Sequence, residues 1–184
     1  MPTKIKSKPG LVRLYSGCTD NVRGHFEHLP RLLEGFPIDV CLAYAFSRLE
    51  LGQNMALYCG AVKIYRVNSA VAKRVIGRHR LSRQNFGTLY STVLKLDLPS
   101  VASADLKQAA AVRDKVMHGK PPSADEIRNA IARVLEYAEE INKQLQHVHK
   151  FCPYGPLNGF AGRLKKLDER TSVFVLRGMG FGVA

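Results

Sequence analysis

The longest amphipathic stretch of the chain opens at a capping box and sets the strongest limit on the fold. Ser123 is followed three residues later by Glu126, a pattern in which both side chains satisfy backbone N–H groups at a helix start. Apolar residues then recur at helical spacing, at Ile127, Ile131, Val134, Leu135, Ala138, Ile141 and Leu145. The sequence therefore predicts a long helix with one apolar face, which needs other helices or a sheet to cover it.

Helical spacing recurs through most of the remaining chain, and no stretch alternates apolar and polar residues as a half-buried strand does. The sequence therefore predicts an all-α fold, an up-and-down helical bundle with short connections. Gly52 predicts a turn or kink between two helices, and Pro30 interrupts a short helix over Asp20 to Leu33. Further helix starts are predicted after Pro37, at Asn68-Ser69, at Ser82 and at Ser103, and residues 171–177 suit a helix or a strand.

Composition divides the chain into three parts. Residues 1–37 form a basic N-terminal arm, flexible over about the first 18 residues; residues 38–148 form the bundle; residues 149–184 form a tail rich in glycine and proline. The tail has two interpretations, an arm docked on the bundle and a segment that binds a partner or guides RNA. Docking is favoured because Phe174, Val175, Leu176 and Phe181 would otherwise be exposed.

The positive charge of the chain is unevenly distributed. The formal net charge is +13, and no Asp or Glu occurs from Leu51 to Leu96. A field of one sign attracts polyanions by counterion release, so nucleic acid is the expected partner. A generally solvated basic surface is the alternative. No basic segment has a clean apolar opposite face, which argues against a membrane surface as partner.

The cysteines and the ends of the chain bear on location. Cys18, Cys41, Cys59 and Cys152 are widely spaced and form no CxxC pair, a pattern that suits a reducing cytoplasm. The basic N-terminus lacks the apolar core of a signal peptide, and the longest apolar run is too short to span a bilayer. We therefore expect a cytoplasmic protein.

One octapeptide, Arg113 to Lys120, combines an arginine, an acid and a histidine at the predicted end of a helix. Arg113 offers a fixed fork of donors for a phosphate, and His118 exchanges a proton near neutral pH. Asp114 lies four residues before His118, a spacing that brings a carboxylate and an imidazole to one helical face. These groups suit metal-free cleavage of a phosphodiester. The alternative is a surface ion pair followed by a C-cap at Gly119.

The spacing of Arg113 and His118 limits how they act together. Positions five apart diverge by about 140° around a regular helix, so both side chains cannot occupy one narrow face. Either the helix ends before His118, or the site combines residues from two subunits.

A helical bundle that carries Arg113, four intervening residues, His118 and then Gly119 resembles the HEPN superfamily over residues 38–148. In its ribonuclease members an arginine and a polar residue precede the histidine, and Arg113, Asp114 and His118 fit that pattern. The resemblance implies a homodimer whose two motifs line one cleft, with neither a metal nor another cofactor. It also implies an endoribonuclease of a kind that often acts as a toxin or in antiviral defence, with an antitoxin or regulatory protein as a further candidate partner.

Each motif residue has an expected role in RNA cleavage. His118 transfers a proton to or from the reacting oxygens, Arg113 binds the scissile phosphate, and Asp114 orients the imidazole. The products would be a 2′,3′-cyclic phosphate and a 5′-hydroxyl, and DNA would not be cut. Further RNA contacts are predicted at Lys115, Lys120, Lys73, Arg74, Arg78, Arg80 and Arg83. Solvated surface charge is the alternative for the first two.

Other functions fit parts of the sequence. A non-catalytic HEPN-like dimer would bind RNA or a protein partner without a role for His118. A DNA-binding regulator would need a recognition helix, and none is recognisable. Metal binding is not predicted, because His147 and His149 are two apart on a helix and His25 and His28 lack a third ligand.

Overall fold

The computed structural model describes residues 4–78, 83–120, 122–157 and 165–182, with only the backbone at 83 and 84. Within these ranges the regular elements are all helices and no strand occurs, which confirms the prediction of an all-α fold. The helices are α1 (Lys8–Ser16), α2 (Asp20–His25), α3 (Leu29–Gly35), α4 (Ile38–Lys63), α5 (Ser69–Arg78), α6 (Arg83–Leu94), α7 (Ser100–Met117), α8 (Ala124–His149) and α9 (Glu169–Gly178).

Local capping chemistry places two of these helix starts where the sequence predicts them. The Ser123 hydroxyl accepts a hydrogen bond from the Glu126 N–H, and the Glu126 carboxylate accepts one from the Ser123 N–H at 2.8 Å. The Asn68 side-chain oxygen accepts from the Ala70 N–H at 3.0 Å, which begins α5. The helix start predicted at Ser82 lies outside the described residues.

Two other predicted boundaries are wrong. α4 runs unbroken through Gly52, because one glycine costs a helix only about 1 kcal/mol and buried apolar residues on both sides of it offset that cost. α7 begins at Ser100 rather than after Ser103. Pro99 occupies its N-cap position, and Ala102 in the first turn is already buried.

The chain divides into two compact units that are each discontinuous in sequence. Unit 1 comprises Met1–Leu49 and Pro99–Pro156, and unit 2 comprises Glu50–Leu98 and Leu157–Ala184. The division falls inside α4 rather than after residue 37. The predicted boundaries at 37 and 148 therefore do not coincide with the boundaries of these units.

In unit 1, α7 and α8 form the principal helix pair, and α1 and α2 pack on α8. The prediction of a flexible segment up to about residue 18 is wrong for the described residues. The Ser7 hydroxyl accepts from the Gly10 N–H at the start of α1, and Leu11 is fully buried. Burying a leucine side chain contributes about 2 kcal/mol, which fixes a short helix that has little stability alone.

A buried polar and aromatic group, the Tyr154 cluster, joins the end of α8 to α2 and α4 within unit 1. The Asn142 amide donates to the Tyr154 carbonyl at 2.9 Å and accepts from the Tyr154 N–H at 3.0 Å. The Tyr154 ring meets the His25 ring edge-on at 5.1 Å between centroids. Arg48 Nε donates to the His25 carbonyl at 2.6 Å, and His25 Nε2 lies 2.7 Å from the Arg48 carbonyl. Because a carbonyl only accepts, His25 Nε2 carries the proton.

In unit 2, α5 packs on α9. A Cβ added at Gly60 of α4 would lie 2.6 Å from Leu94 Cδ2 and 2.7 Å from Val93 Cγ1. The absence of a side chain at Gly60 therefore allows the end of α6 to approach α4 closely. The Asn68 N–H donates to the Ser172 hydroxyl at 2.9 Å and links the start of α5 to α9.

The C-terminal tail contributes to both units. Phe151 and Tyr154 are buried in unit 1, and Leu176 and Phe181 are buried in unit 2. Leu176 and Phe181 are covered, as the prediction of a docked tail requires, but Phe174 is not and is 75% exposed. Among the described helices, none is both long enough and apolar enough to cross a lipid bilayer.

Candidate active site

The octapeptide Arg113 to Lys120 lies at the C-terminal end of α7 in unit 1. The helix ends at Met117, and His118 is the C-cap residue with φ −97° and ψ 17°. Gly119 has φ 69°, its N–H donates to the Val116 carbonyl at 3.2 Å, and the Lys120 N–H donates to the Lys115 carbonyl at 2.9 Å. These two bonds form a Schellman motif, which favours glycine at the left-handed position. The helix ends before His118, which is one of the two predicted solutions to the spacing problem, and a site shared by two subunits stays a prediction.

Arg113 is held on two sides and remains partly open to solvent. Its guanidinium carbon lies 5.7 Å from the centroid of the Phe46 ring, and its Nη1 lies 3.6 Å from the Asp114 carboxylate. The side chains of Arg113 and Asp114 are 37% and 40% exposed. An arginine stacked on a ring loses less freedom when it binds an anion than an unsupported one does. The partly exposed Arg113 guanidinium can therefore contact the phosphate of a ligand that approaches from solvent.

His118 is exposed, and within the described residues its ring makes neither a hydrogen bond nor an ion pair. The carboxylate of Asp114 contacts Arg113 instead, so the predicted contact between Asp114 and His118 is absent within one chain. The physical reason is the end of the helix: the backbone of His118 has left the regular helical path that would place positions 114 and 118 on one face. Nor does a hydrogen bond join Arg113 and His118.

The two lysines of the octapeptide differ in their surroundings. Lys115 Nζ lies 3.2 Å from the Glu126 carboxylate, so the capping box of α8 also holds this lysine. The Ser123 and Lys115 bonds lower the pKa of Glu126 and keep it charged. Lys120 is exposed. In the isolated chain Lys115 therefore behaves as a surface charge that is paired with Glu126. Of these two lysines, Lys120 is the one that can contact a phosphate.

A groove of about 760 Å³ runs along the Lys115 side of α7 and the first turns of α8, and sequence reasoning missed it. Its lining includes Lys115, Glu126, Arg133 and Glu136, but not Arg113, Asp114 or His118. Arg133 Nε lies 3.5 Å from the Asp105 carboxylate. Burial raises the pKa of Glu136, and the charge of Asp105 raises it further. These residues join helices α7 and α8, and no local sequence pattern indicates such a pairing.

The predicted RNA-binding residues of the acid-free stretch belong to unit 2. Lys73, Arg74 and Arg78 are exposed on α5, opposite its buried residues Val71, Ala72, Val75 and Ile76. Arg74 Nη2 lies 2.8 Å from the Glu169 carboxylate. Arg80 and the side chain of Arg83 lie outside the described residues. The structure therefore places three of the predicted basic residues on one helix face.

The histidine pairs do not form metal sites in the part of the chain that the structure describes, where no group of three or more metal-binding side chains occurs. His25 is buried against Arg48, and burial lowers its pKa. The thiols of Cys18 and Cys59 are buried, which raises the pKa of each to about 12. Thiols with such a pKa stay protonated and unreactive at neutral pH.

Comparisons with protein-family models, with characterised proteins and with solved structures gave no match to this chain. The residues and their geometry are therefore the basis for assigning a function.

Proposed function

We propose that this protein is a metal-independent endoribonuclease of HEPN type that acts as a homodimer. The observation that carries the proposal is the exposed C-terminal end of α7, where a ring-supported arginine and an exposed histidine occur within six residues. An arginine that binds phosphate and a histidine that exchanges a proton are the groups that RNA cleavage without a metal needs. By analogy with the family, a role as a toxin or in antiviral defence follows.

The proposed site combines the motifs of two copies, because one copy does not complete it. Asp114 contacts Arg113, and among the described residues His118 has no carboxylate partner in its own chain. Apolar surface for a second copy lies on the two helices that Arg113 and Phe46 join. Val40 on α4 is 41% exposed, and Met117 on α7 is 66% exposed. Covering such side chains favours association.

The proposed reaction needs two proton transfers. One His118 removes the proton of the ribose 2′-hydroxyl as its oxygen attacks phosphorus. The bond to the 5′-oxygen breaks, and a protonated His118 of the second copy gives that oxygen a proton. Arg113 stabilises the negative charge that grows on the phosphoryl oxygens. The products are a 2′,3′-cyclic phosphate and a 5′-hydroxyl, and a strand without 2′-hydroxyls is not a substrate.

The first test is incubation of the purified protein with mixed-sequence RNA and total cellular RNA in excess EDTA. Cleavage by the wild type, with cyclic-phosphate ends, and its loss in Arg113→Ala and His118→Ala are the expected results. His147→Ala removes another exposed histidine of unit 1 and serves as the matched control. Equal cleavage by wild type and His118→Ala would contradict the proposed site and indicate a contaminating nuclease.

The dimer has a separate test. Val40→Lys combined with Met117→Lys places charge on the proposed contact and should shift the sedimentation coefficient toward that of a monomer. Cleavage should fall with the dimer fraction. An active monomer would contradict the composite site.

A non-catalytic HEPN-like dimer that binds RNA or a protein partner is the second candidate. The Schellman motif favours it, because this motif accounts for Gly119 and the position of His118 without any catalytic role. This candidate predicts intact RNA in every reaction and a small effect of His118→Ala on stability.

A further inference from the structure

Helix α9 of unit 2 has two opposite faces of different character. Ser172, Leu176 and Met179 are buried on one face. Arg170, Phe174 and Arg177 are exposed, and successive residues turn by about 100°, so these three fall within about 60° of one another on the opposite face. Phe174 is therefore held outward by the packing of the helix that carries it.

Phe174 is 75% exposed, an unusual position for a phenylalanine. Arg170 precedes it by one helical turn and Arg177 follows it by about one turn. The helix is fixed rather than loose, because the Asp168 carboxylate accepts from the Thr171 N–H at 2.9 Å and the Ser172 hydroxyl accepts from Asn68. An exposed aromatic ring is thus presented on a fixed helix that carries one exposed arginine about a turn before it and another about a turn after it.

The charge around this face is positive. Asp168 and Glu169, at the start of α9, are engaged with Thr171 and with Arg74. The Arg74–Glu169 ion pair also places the exposed basic face of α5 beside the first turn of α9. Unit 2 contains thirteen Lys and Arg residues against four Asp and Glu residues. This charge favours a polyanion as the ligand of this face.

We propose that the face formed by Arg170, Phe174 and Arg177 binds single-stranded RNA. A base stacks on the Phe174 ring, and the two arginines contact the phosphates on either side of it. Aromatic stacking combined with basic side chains is the general way in which single strands are held without sequence preference. A duplex hides the faces of its bases, so Phe174 distinguishes a single strand from a duplex.

The composition of the face disfavours a lipid membrane and an apolar protein groove. Both require a broad apolar surface. Within the described residues of unit 2, Phe174 and Leu51 are the only large apolar side chains classed as exposed, and just one of them lies on α9. A single ring in a positive field suits stacking better than apolar docking.

The inference rests on the proposed function only in choosing RNA as the polyanion, so binding is measured in a His118→Ala background in which cleavage does not interfere. The probe is a fluorescein-labelled single-stranded RNA of about twelve nucleotides, compared with a blunt RNA duplex of the same length. Phe174→Ala should weaken single-strand binding about tenfold and leave duplex binding unchanged. Replacing Arg170 and Arg177 by alanine should lower the salt dependence by about 1.4 in the log–log slope.

Two further variants separate stacking from simple apolar contact. Phe174→Trp keeps a stacking ring and should keep the affinity, whereas Phe174→Leu keeps apolar area without a ring and should behave as the alanine variant does. Lys107→Ala removes an exposed charge of unit 1 and serves as the charge control. Unchanged single-strand binding by Phe174→Ala would overturn the proposal. Full retention by Phe174→Leu, or Phe174-dependent binding to anionic vesicles in place of RNA, would also overturn it. Loss of cleavage in His118→Ala bears on the proposed nuclease alone.

Discussion

Unit 1 and unit 2 differ most in charge. Unit 1 contains fifteen Lys and Arg residues against eleven Asp and Glu residues, and unit 2 contains thirteen against four. Most of the net charge of +13 therefore belongs to the smaller unit. The candidate catalytic residues lie in unit 1, whereas most of the predicted RNA-binding residues lie in unit 2. The proposed RNA binding and the proposed chemistry therefore involve different units, and we expect that each can be altered without the other.

The interiors of the two units also differ. Unit 1 contains the buried, hydrogen-bonded Tyr154 cluster, and unit 2 combines the buried hydrogen bond of Ser172 with a close apolar contact at Gly60. A buried polar group is costly when it loses its partner, and a close contact is costly when atoms are added. Removal of a hydrogen-bonding side chain should therefore test the interior of unit 1, and addition of a methyl group should test the interior of unit 2.

The largest expected effect separates chemistry from binding. His118→Ala should lower cleavage by about 10²–10⁴-fold and leave RNA affinity within about twofold, because only the proton transfer is lost. Lys73→Ala combined with Arg78→Ala should lower the salt slope of RNA binding by about 1.4. Cleavage assays and fluorescence anisotropy across a salt series measure the two effects.

Lys107→Ala combined with Lys143→Ala removes two exposed lysines of unit 1 and is the matched charge control. This control could lower the salt slope of RNA binding as much as the unit 2 variant does. RNA would then contact both units equally, which would contradict the assignment of RNA binding to unit 2.

The next effect concerns the interior of unit 1. Asn142→Ala removes the amide that pairs with the buried N–H and carbonyl of Tyr154 and should lower the free energy of unfolding by about 3 kcal/mol. Native-state hydrogen exchange read by mass spectrometry should show faster exchange in unit 1 peptides. Lys143→Ala, an exposed change on the same helix, should cost less than about 0.5 kcal/mol. Equal exchange rates in Asn142→Ala and Lys143→Ala would show that the Tyr154 cluster does not contribute to the stability of unit 1.

Two glycines of unit 2 should respond with opposite signs. Gly60→Ala places a Cβ within 2.7 Å of the branched Val93 side chain and should destabilise the protein by about 1–2 kcal/mol. Gly77→Ala meets nothing within 4 Å and should stabilise it by up to about 1 kcal/mol through helix propensity. Thermal and urea denaturation measure both. Stabilisation by Gly60→Ala would mean that α6 does not approach α4 closely.

The smallest effect is a pH dependence in unit 1. Burial lowers the folded-state pKa of His25 below its unfolded value of about 6.5, so the unfolded chain binds the proton first as pH falls. Stability should therefore decrease as pH falls through about 6.5 towards the folded pKa, by no more than about 1.4 kcal/mol per pH unit from this group.

The measurement is urea denaturation between pH 5 and 8 in wild type and His25→Gln, with His147→Gln as an exposed control. His25→Gln should be less stable at high pH but show a shallower pH slope. Parallel slopes for wild type and His25→Gln would exclude His25 as the source.

The parts of the fold that sequence reasoning predicted correctly depend on local chemistry. Asn68 and the pair Ser123 and Glu126 mark helix starts because their hydrogen bonds reach only two or three residues. Gly52 and the first turn of α1 were predicted wrongly, because packing against distant segments outweighs a weak local preference. Rules based on neighbouring residues cannot account for contacts with residues that are distant in the sequence.

The candidate site follows the same division. The end of α7 before His118 was one of two predicted solutions, and Gly119 marks it locally. The contact of Arg113 with Phe46 and that of Lys115 with Glu126 join different helices, so no spacing along the chain indicates them. Phe174 was predicted to be covered, and its exposure became visible only when the buried face of α9 was known.

The interleaving of the two units along the chain has a consequence for synthesis. The ribosome makes the chain from its N-terminus, and α4 leaves it carrying helix segments of both units. The core of unit 1 needs α8, and the core of unit 2 needs α9. Neither core can therefore be completed while α1 to α6 are being synthesised. The apolar faces of the early helices are therefore exposed during translation, when chaperones and proteases compete for them. This order also delays assembly of the candidate site of the proposed nuclease until most of the chain has been made.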